Sequence, residues 1–147
     1  MHATYLGTND PDAHPLRLPL AADSVRAGFP SPADDYIEAE LDLVSHLIQH
    51  PSATFYVRAQ GDSMVQHGIH DGDLLIVDRA LEPRDGDILI IAIDGDLTVK
   101  KLGTIGKRPY LLPGNPNYAP IPMEGRECHV WGVVTHNVHA HRAGVGK

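Results

Sequence analysis

Cysteine and long apolar runs are scarce in this sequence. The only cysteine is Cys128, which excludes an internal disulfide and a cysteine-rich zinc site and permits a reducing compartment. No stretch approaches the roughly 20 consecutive apolar residues of a membrane-spanning helix, and the N-terminal region lacks the basic and then apolar pattern of a secretory signal. We therefore expect a cytoplasmic protein with no membrane anchor.

Basic residues are also fewer than acidic residues. The chain carries 12 basic and 19 acidic residues, for a net charge of -7. This balance would repel a phosphate backbone, so no direct DNA binding is expected. The length of 147 residues allows one domain with a modest core, and 42% hydrophobic with 21% charged residues is typical of a globular protein.

The N-terminal third divides into an arm and a predicted helix. Residues 1–30 carry four prolines and show neither helical nor strand periodicity, which predicts an extended arm without a core of its own. Ser31 as N-cap and Pro32 at the first helical position then predict a helix that Pro51 ends. Its apolar stripe comprises Ile37, Leu41, Val44 and Ile48.

The remainder is predicted to be mainly β. Short β-rich runs occur at 54–59, 74–77, 88–93, 97–102 and 130–138. Asp-Gly-Asp triplets at 71–73, 85–87 and 94–96 separate several of these runs and predict tight turns, since none continues into a calcium-binding loop. The segment 110–127, rich in Pro, Gly and Asn, predicts a loop or an irregular edge.

Two side chains are candidates for nucleophilic chemistry. Ser63 lies in the turn Gly61-Asp62-Ser63-Met64 directly after a predicted strand, where a hydroxyl can project beside free backbone N–H groups; a helix cap is the alternative. Lys100 and Lys101 are neighbours on a strand and point to opposite faces, so one faces inward. An inward lysine can act as a base once burial lowers its pKa; the alternative is a pair of edge-strand charges.

Three segments together resemble the LexA/UmuD-like family of self-cleaving serine peptidases: RAGFPSPADDYIE at 26–38, GDSM at 61–64 and LTVKKL at 97–102. The resemblance covers nearly all of the chain after about residue 20. It implies a strongly bent β-sheet domain with a short N-terminal helix and an extended arm. The implied division is a removable arm, residues 1–27, and a Ser/Lys peptidase-like domain, residues 28–147.

The resemblance also assigns residue roles. It implies that Ser63 is the nucleophile, that Lys100, 37 positions later, is the general base, and that Ala27-Gly28 is the scissile bond. Lys101 would be the solvent-facing neighbour. The backbone N–H groups of Ser63 and Met64 are candidates for the oxyanion hole, because they lie beside the nucleophile.

The function implied by the resemblance is self-cleavage in the bacterial DNA-damage (SOS) response. A RecA filament on single-stranded DNA would promote cleavage, and the product would join a UmuC-like Y-family polymerase in translesion synthesis. The family also implies a homodimer, and the replicative sliding clamp is a further expected partner. No cofactor and no metal are expected.

Several alternatives remain open. A self-cleaving transcriptional regulator, of LexA or phage type, shares this catalytic domain, although the proline-rich arm is too short for a helix-turn-helix. A signal peptidase shares the Ser/Lys chemistry but needs a membrane anchor. In a noncatalytic interaction protein, Ser63 and Lys100 would have no chemical role.

The ten histidines suggest no catalytic or metal role. His67 and His70 follow Ser63 too closely to act as its base, and the remaining candidates are expected on the surface. Those candidates are His129, His136, His139 and His141.

Overall fold

The computed structural model describes residues 1–10, 12, 16–21 and 37–145. Within these ranges the chain is organised mainly as β-strands. In chain order the strands are β1 (His2–Thr8), β2 (Arg17–Ala21), β3 (Ile37–Asp42), β4 (Thr54–Gln60), β5 (Leu74–Asp78), β6 (Ile88–Ile93), β7 (Asp96–Ile105), β8 (Arg108–Leu112), β9 (Ile121–Pro122) and β10 (Cys128–Val138). The α-helix α1 spans Leu43–Leu47, and 3-10 helices span Pro51–Ala53 and Val65–His67.

Eight of these strands form one antiparallel sheet in a compact unit of residues 1–10 and 50–147. Their order is β1-β4-β5-β10-β6-β7-β8-β9, and β1 also pairs with β7 through His2 and Thr98. The strand β1 therefore joins two distant strands and closes the strongly curved sheet into a barrel-like shape. The mainly β fold predicted from the sequence is confirmed.

The central strands of this sheet are buried on both faces. Ile90 in β6 belongs to a cluster with Val57, Leu75 and Val99, whereas its neighbours Leu89 and Ile91 belong to a second cluster with Leu111. Burial on both faces explains why β6 is a continuous apolar run instead of an alternating one.

The five β-rich runs of the sequence are all strands, and the turn at 94–96 joins the hairpin β6–β7. Asp94 and Gly95 have φ angles of 49° and 90° there, as a tight hairpin turn requires. The segment 110–127, predicted as a loop or an irregular edge, contains the end of β8 and the two-residue strand β9, which pair at the edge of the sheet. Proline is tolerated in them because they lie at the edge of the sheet.

The second compact unit spans residues 11–49 and contains β2, β3 and α1. The predicted helix was wrong over Ile37–Asp42, which forms β3 and pairs antiparallel with β2; the start predicted at Ser31 and Pro32 lies outside the described residues. The sequence IEAELD also alternates apolar and polar residues with period two, and pairing with a partner strand selects that pattern over the helical stripe. In the described part of the predicted helix, residues 37–50, only the five residues of α1 are helical.

The arm likewise contains more regular structure than predicted. Both β1 and β2 lie within residues 1–30, where no strand periodicity was recognised. Met1 is buried in the core of the first unit, whereas Tyr5 and Leu6 are exposed. Pairing with β4 thus defines β1 more than its own weak alternation does.

Gly132 in β10 marks a position where the packing leaves no room for a side chain. A Cβ atom there would lie 2.7 Å from Val77 Cγ1 and 3.0 Å from the carbonyl oxygen of Asp78. We predict that Gly132→Ala lowers the free energy of unfolding by about 1 to 3 kcal/mol, measured by denaturant titration. Val130→Ala, at a 43% exposed position of the same strand, is the control, and an equal effect of both variants would contradict the packing argument.

Candidate active site

Ser63 lies in the turn that follows β4. The strand ends at Gln60, and Gly61 adopts a φ of 101°, in the region that favours glycine. The Gly61 N–H donates to Asp71 Oδ1 at 2.8 Å, which fixes the chain as it leaves the strand. The turn carries Ser63 into the interior, where the residue is 0% exposed.

Lys100 reaches Ser63 from the strand β7. It lies directly opposite Leu89 of β6 and is only 6% exposed. Its Nζ atom is 3.4 Å from Ser63 Oγ and 3.2 Å from the carbonyl oxygen of Val99. Lys101 points to the other face of the strand and is half-buried. The structure thus brings together the two side chains that the sequence singled out.

The surroundings of Lys100 favour its neutral form. Burial lowers the pKa of its ammonium group below the ordinary value of 10.5. Among the described residues, no carboxylate forms an ion pair with Lys100 that would restore the charged form. A neutral amine next to a serine hydroxyl can accept its proton, so the pair has the electrostatics that nucleophilic activation requires.

The Met1 amino group occupies the same space. It lies 2.6 Å from Ser63 Oγ, and Met1 is only 8% exposed. Burial and the neighbouring Lys100 lower the pKa of this amino group from 8.0 to about 5, so it is neutral at pH 7. Sequence reasoning did not place Met1 at the site, because only the pairing of β1 with β4 and β7 brings it there.

A loop from β8 supports the nucleophile turn from outside. The Gly114 N–H donates to the carbonyl oxygen of Ser63 at 2.5 Å. Buried Asn115 donates from Nδ2 to the carbonyl oxygen of Asp62 at 3.0 Å, and the Tyr118 hydroxyl donates to Asp62 Oδ1 at 2.7 Å. The sequence predicted a loop here without a role, since hydrogen bonds across more than 50 positions leave no local signal.

Close approach of this loop requires glycine at position 114. A Cβ atom there would lie 2.6 Å from His67 Cδ2 and 3.1 Å from Met64 Cα. Met64 caps the 3-10 helix that ends at His67, so the loop packs directly on the backbone that follows the serine. His67 lies in that helix and forms no described hydrogen bond with Ser63, so it is not placed as a base.

Two further predictions concern the groups around a reacting carbonyl. The backbone N–H groups of Ser63 and Met64 donate no hydrogen bond to another described residue, so they stay candidates for the oxyanion hole. Ala27 and Gly28, the predicted scissile bond, lie outside the described residues.

The four histidines of β10 and the segment after it form no hydrogen bond with Ser63 or Lys100. His129, His136, His139 and His141 are exposed, as predicted. His139 Nδ1 is 2.5 Å from Oδ1 of the buried Asp73, which ties the end of β10 to the turn before β5. Within the described ranges, no group of three or more His, Cys, Asp or Glu side chains is arranged to hold a metal ion, and no helix there is long and apolar enough to cross a membrane.

A buried serine thus lies beside a buried lysine on a closed antiparallel sheet, and serine peptidases that use lysine in place of histidine bring the same two side chains together. Residues 19–135 match the family described as Peptidase S24-like, and the chain belongs to that family. Membership of this family supports the assignment of the chain as a self-cleaving serine peptidase. The resemblance found in the sequence is thereby confirmed.

Three UmuD-like proteins are similar to most of the chain. Protein ImpA of Salmonella typhimurium is 51% identical over 126 residues, which cover 84% of this chain and 85% of ImpA. Protein SamA of Salmonella typhimurium is 47% identical over 90% of this chain and 94% of SamA. Protein MucA of Salmonella typhimurium is 40% identical over 84% of this chain and 86% of MucA.

The loop that contains Asn115 is expected to hold Ser63 in position for self-cleavage. We predict that Asn115→Ala slows self-cleavage by roughly 10-fold to 100-fold, because a misplaced Ser63 loses the alignment that the reaction needs. The measurement is the cleavage rate by gel densitometry. Asn117→Ala, which removes an exposed amide two positions away, is the matched control. Equal rates for the two variants would remove Asn115 from the positioning of Ser63.

Proposed function

We propose that this protein cleaves its own arm between Ala27 and Gly28, with Ser63 as nucleophile and Lys100 as general base. The observation that carries the proposal is the 3.4 Å distance between Lys100 Nζ and Ser63 Oγ in a buried setting, where no carboxylate of the described residues forms an ion pair with Lys100. Such burial costs free energy, and an unpaired charge is avoided only if the lysine gives up its proton.

The proposed chemistry has two steps. The Ser63 oxygen attacks the carbonyl carbon of Ala27 while Lys100 takes the hydroxyl proton, and the bond to the Gly28 nitrogen breaks as that proton passes to the leaving amine. Water then hydrolyses the ester between Ser63 and Ala27 and releases residues 1–27 with a free carboxylate. The N–H groups of Ser63 and Met64 are proposed to stabilise the oxyanion in both steps.

The proposed biological role is in the DNA-damage (SOS) response, in the cytoplasm. The similarity to ImpA, SamA and MucA supports this role. A RecA filament on single-stranded DNA would favour the state in which the arm occupies the site, which shifts a population without donating a catalytic group. The cleaved homodimer would then act with a Y-family polymerase, and with the sliding clamp, in translesion synthesis.

A self-cleaving transcriptional regulator is the alternative function. The LexA repressor of Azoarcus sp. is 40% identical over 116 residues, but these cover only 56% of the repressor. ImpA and SamA are instead matched over 85% and 94% of their own length. Similarity over nearly the full length of the relative favours the UmuD-like role.

The test is intact-mass spectrometry of the purified protein during incubation at pH 7 and at pH 10. We predict that the wild type loses residues 1–27 and does so faster at pH 10, because raising the pH through the pKa of Lys100 increases its neutral fraction. Ser63→Ala and Lys100→Ala are expected to stay intact. Lys101→Ala, on the opposite face of the same strand, is expected to cleave as the wild type does.

Two results would contradict the proposal. Cleavage of Ser63→Ala at the wild-type rate would assign the reaction to another group or to a contaminating protease. A wild type that stays intact at both pH values, also with RecA, ATP and single-stranded DNA, would leave a UmuD-like binding protein without this activity.

A further inference from the structure

Ser63 cannot react in the arrangement that the structure shows. Its exposure is 0%, and the Met1 amino nitrogen lies 2.6 Å from the oxygen that would attack a peptide bond. A carbonyl carbon must come within roughly 3 to 3.5 Å of that oxygen before a bond forms. Met1 and the incoming peptide would therefore occupy the same space.

Met1 is held there by the strand that follows it. Its carbonyl oxygen accepts a hydrogen bond of 3.0 Å from the Val99 N–H, one position before Lys100. His2 then pairs with Thr98 of β7 on one side and with Gln60 of β4 on the other. The groove between β4 and β7 thus accepts an extended segment as an added strand, by main-chain hydrogen bonds that do not depend on its sequence.

The side chains of β1 are less buried than those of the central strands. Met1 and Ala3 contribute to the core cluster, and the Tyr5 ring contacts Phe55. Tyr5 and Leu6 are nevertheless 49% and 47% exposed, whereas most residues of β5 and β6 are buried. The register with β4 is also interrupted between Tyr5 and Gly7. Segments with few buried apolar contacts open at lower free energy than the core does, so β1 can leave while the other strands stay paired.

We propose that the groove between β4 and β7 is a strand-binding site for which β1 and the cleavage segment around Ala27-Gly28 compete, with β1 as the resident occupant. This inference rests on the proposed self-cleavage at Ser63. The uncut protein is then inhibited by its own first strand, and cleavage proceeds only from the fraction of molecules in which β1 has left. Any condition that releases β1 speeds the reaction by the same factor as it raises that fraction.

Under this proposal, cleavage also frees the groove between β4 and β7. The strand β1 lies within residues 1–27, so the cut that removes the arm also removes the tether between β1 and the groove. An untethered strand of seven residues loses the high effective concentration that the chain provided. The groove and the paired edges of β4 and β7 then become available to another extended segment.

The first test locks β1 in place. His2 and Gln60 are exposed and directly paired, and paired positions on antiparallel strands lie within the Cα separation that a disulfide spans. In a Cys128→Ser background, His2→Cys with Gln60→Cys is expected to slow cleavage and the labelling of Ser63 by a fluorophosphonate probe by at least about 10-fold when oxidised. Reduction of the same protein is expected to restore both rates.

A second pair of variants releases β1 instead. Ala3→Asp places a carboxylate against the core and weakens docking of the strand. Thr4→Asp adds the same charge on the exposed face, since successive residues of a strand point to opposite sides. We expect Ala3→Asp to speed probe labelling and cleavage several-fold, and Thr4→Asp, whose carboxylate would lie opposite Arg58 of β4, to speed neither.

The outcomes separate this inference from the proposed function. Oxidised and reduced proteins that cleave and label at one common rate would overturn the competition and leave the catalytic role of Ser63 intact. A reduced protein that neither cleaves nor reacts with the probe would overturn the proposed function itself. Equal acceleration by Ala3→Asp and Thr4→Asp would show that charge, and not release of the strand, changes the rate.

Discussion

Burial of the Lys100 side chain beside Ser63 is the interaction on which the rest of the site depends. An ammonium group that loses its hydration without gaining a carboxylate is destabilised, so the fold favours the neutral amine that can accept a proton. The pairing of Lys100 with Leu89, in a region buried on both faces, creates this environment. The same curvature that closes the sheet through β1 brings the serine turn after β4 next to β7.

Two segments contact the serine turn from opposite sides. The loop with Gly114 and Asn115 holds the serine turn from one side, through the carbonyl oxygens of Ser63 and Asp62. The strand β1 fills the other side with Met1 and completes the barrel-like closure. Under the proposed competition, the strand that closes the sheet also covers Ser63, so docking of β1 both stabilises the uncut protein and slows its cleavage.

Local patterns in the sequence predicted the strands β4 to β7 and β10 and the Asp94-Gly95 turn, but not β8 or β9, because burial and tight-turn geometry leave signatures within a few residues. Ser63 and Lys100 were found by combining a turn signal with a family resemblance. The predicted helix over Ile37–Asp42 was wrong because strand pairing with β2 decided between two competing periodicities. The positions of Met1 and Asn115 could not be predicted, since both depend on contacts between segments far apart in the chain.

The most direct measurement is the titration of the Lys100 amino group by NMR in protein labelled with ¹³C at lysine. The sequence has only three other lysines, Lys101, Lys107 and Lys147, and the Lys100→Met variant identifies the signal by its absence. A Lys100 signal that titrates below the ordinary pKa of 10.5 is the predicted result, because burial without a carboxylate favours the neutral amine. Titration at 10.5 or above would contradict a role for Lys100 as the base.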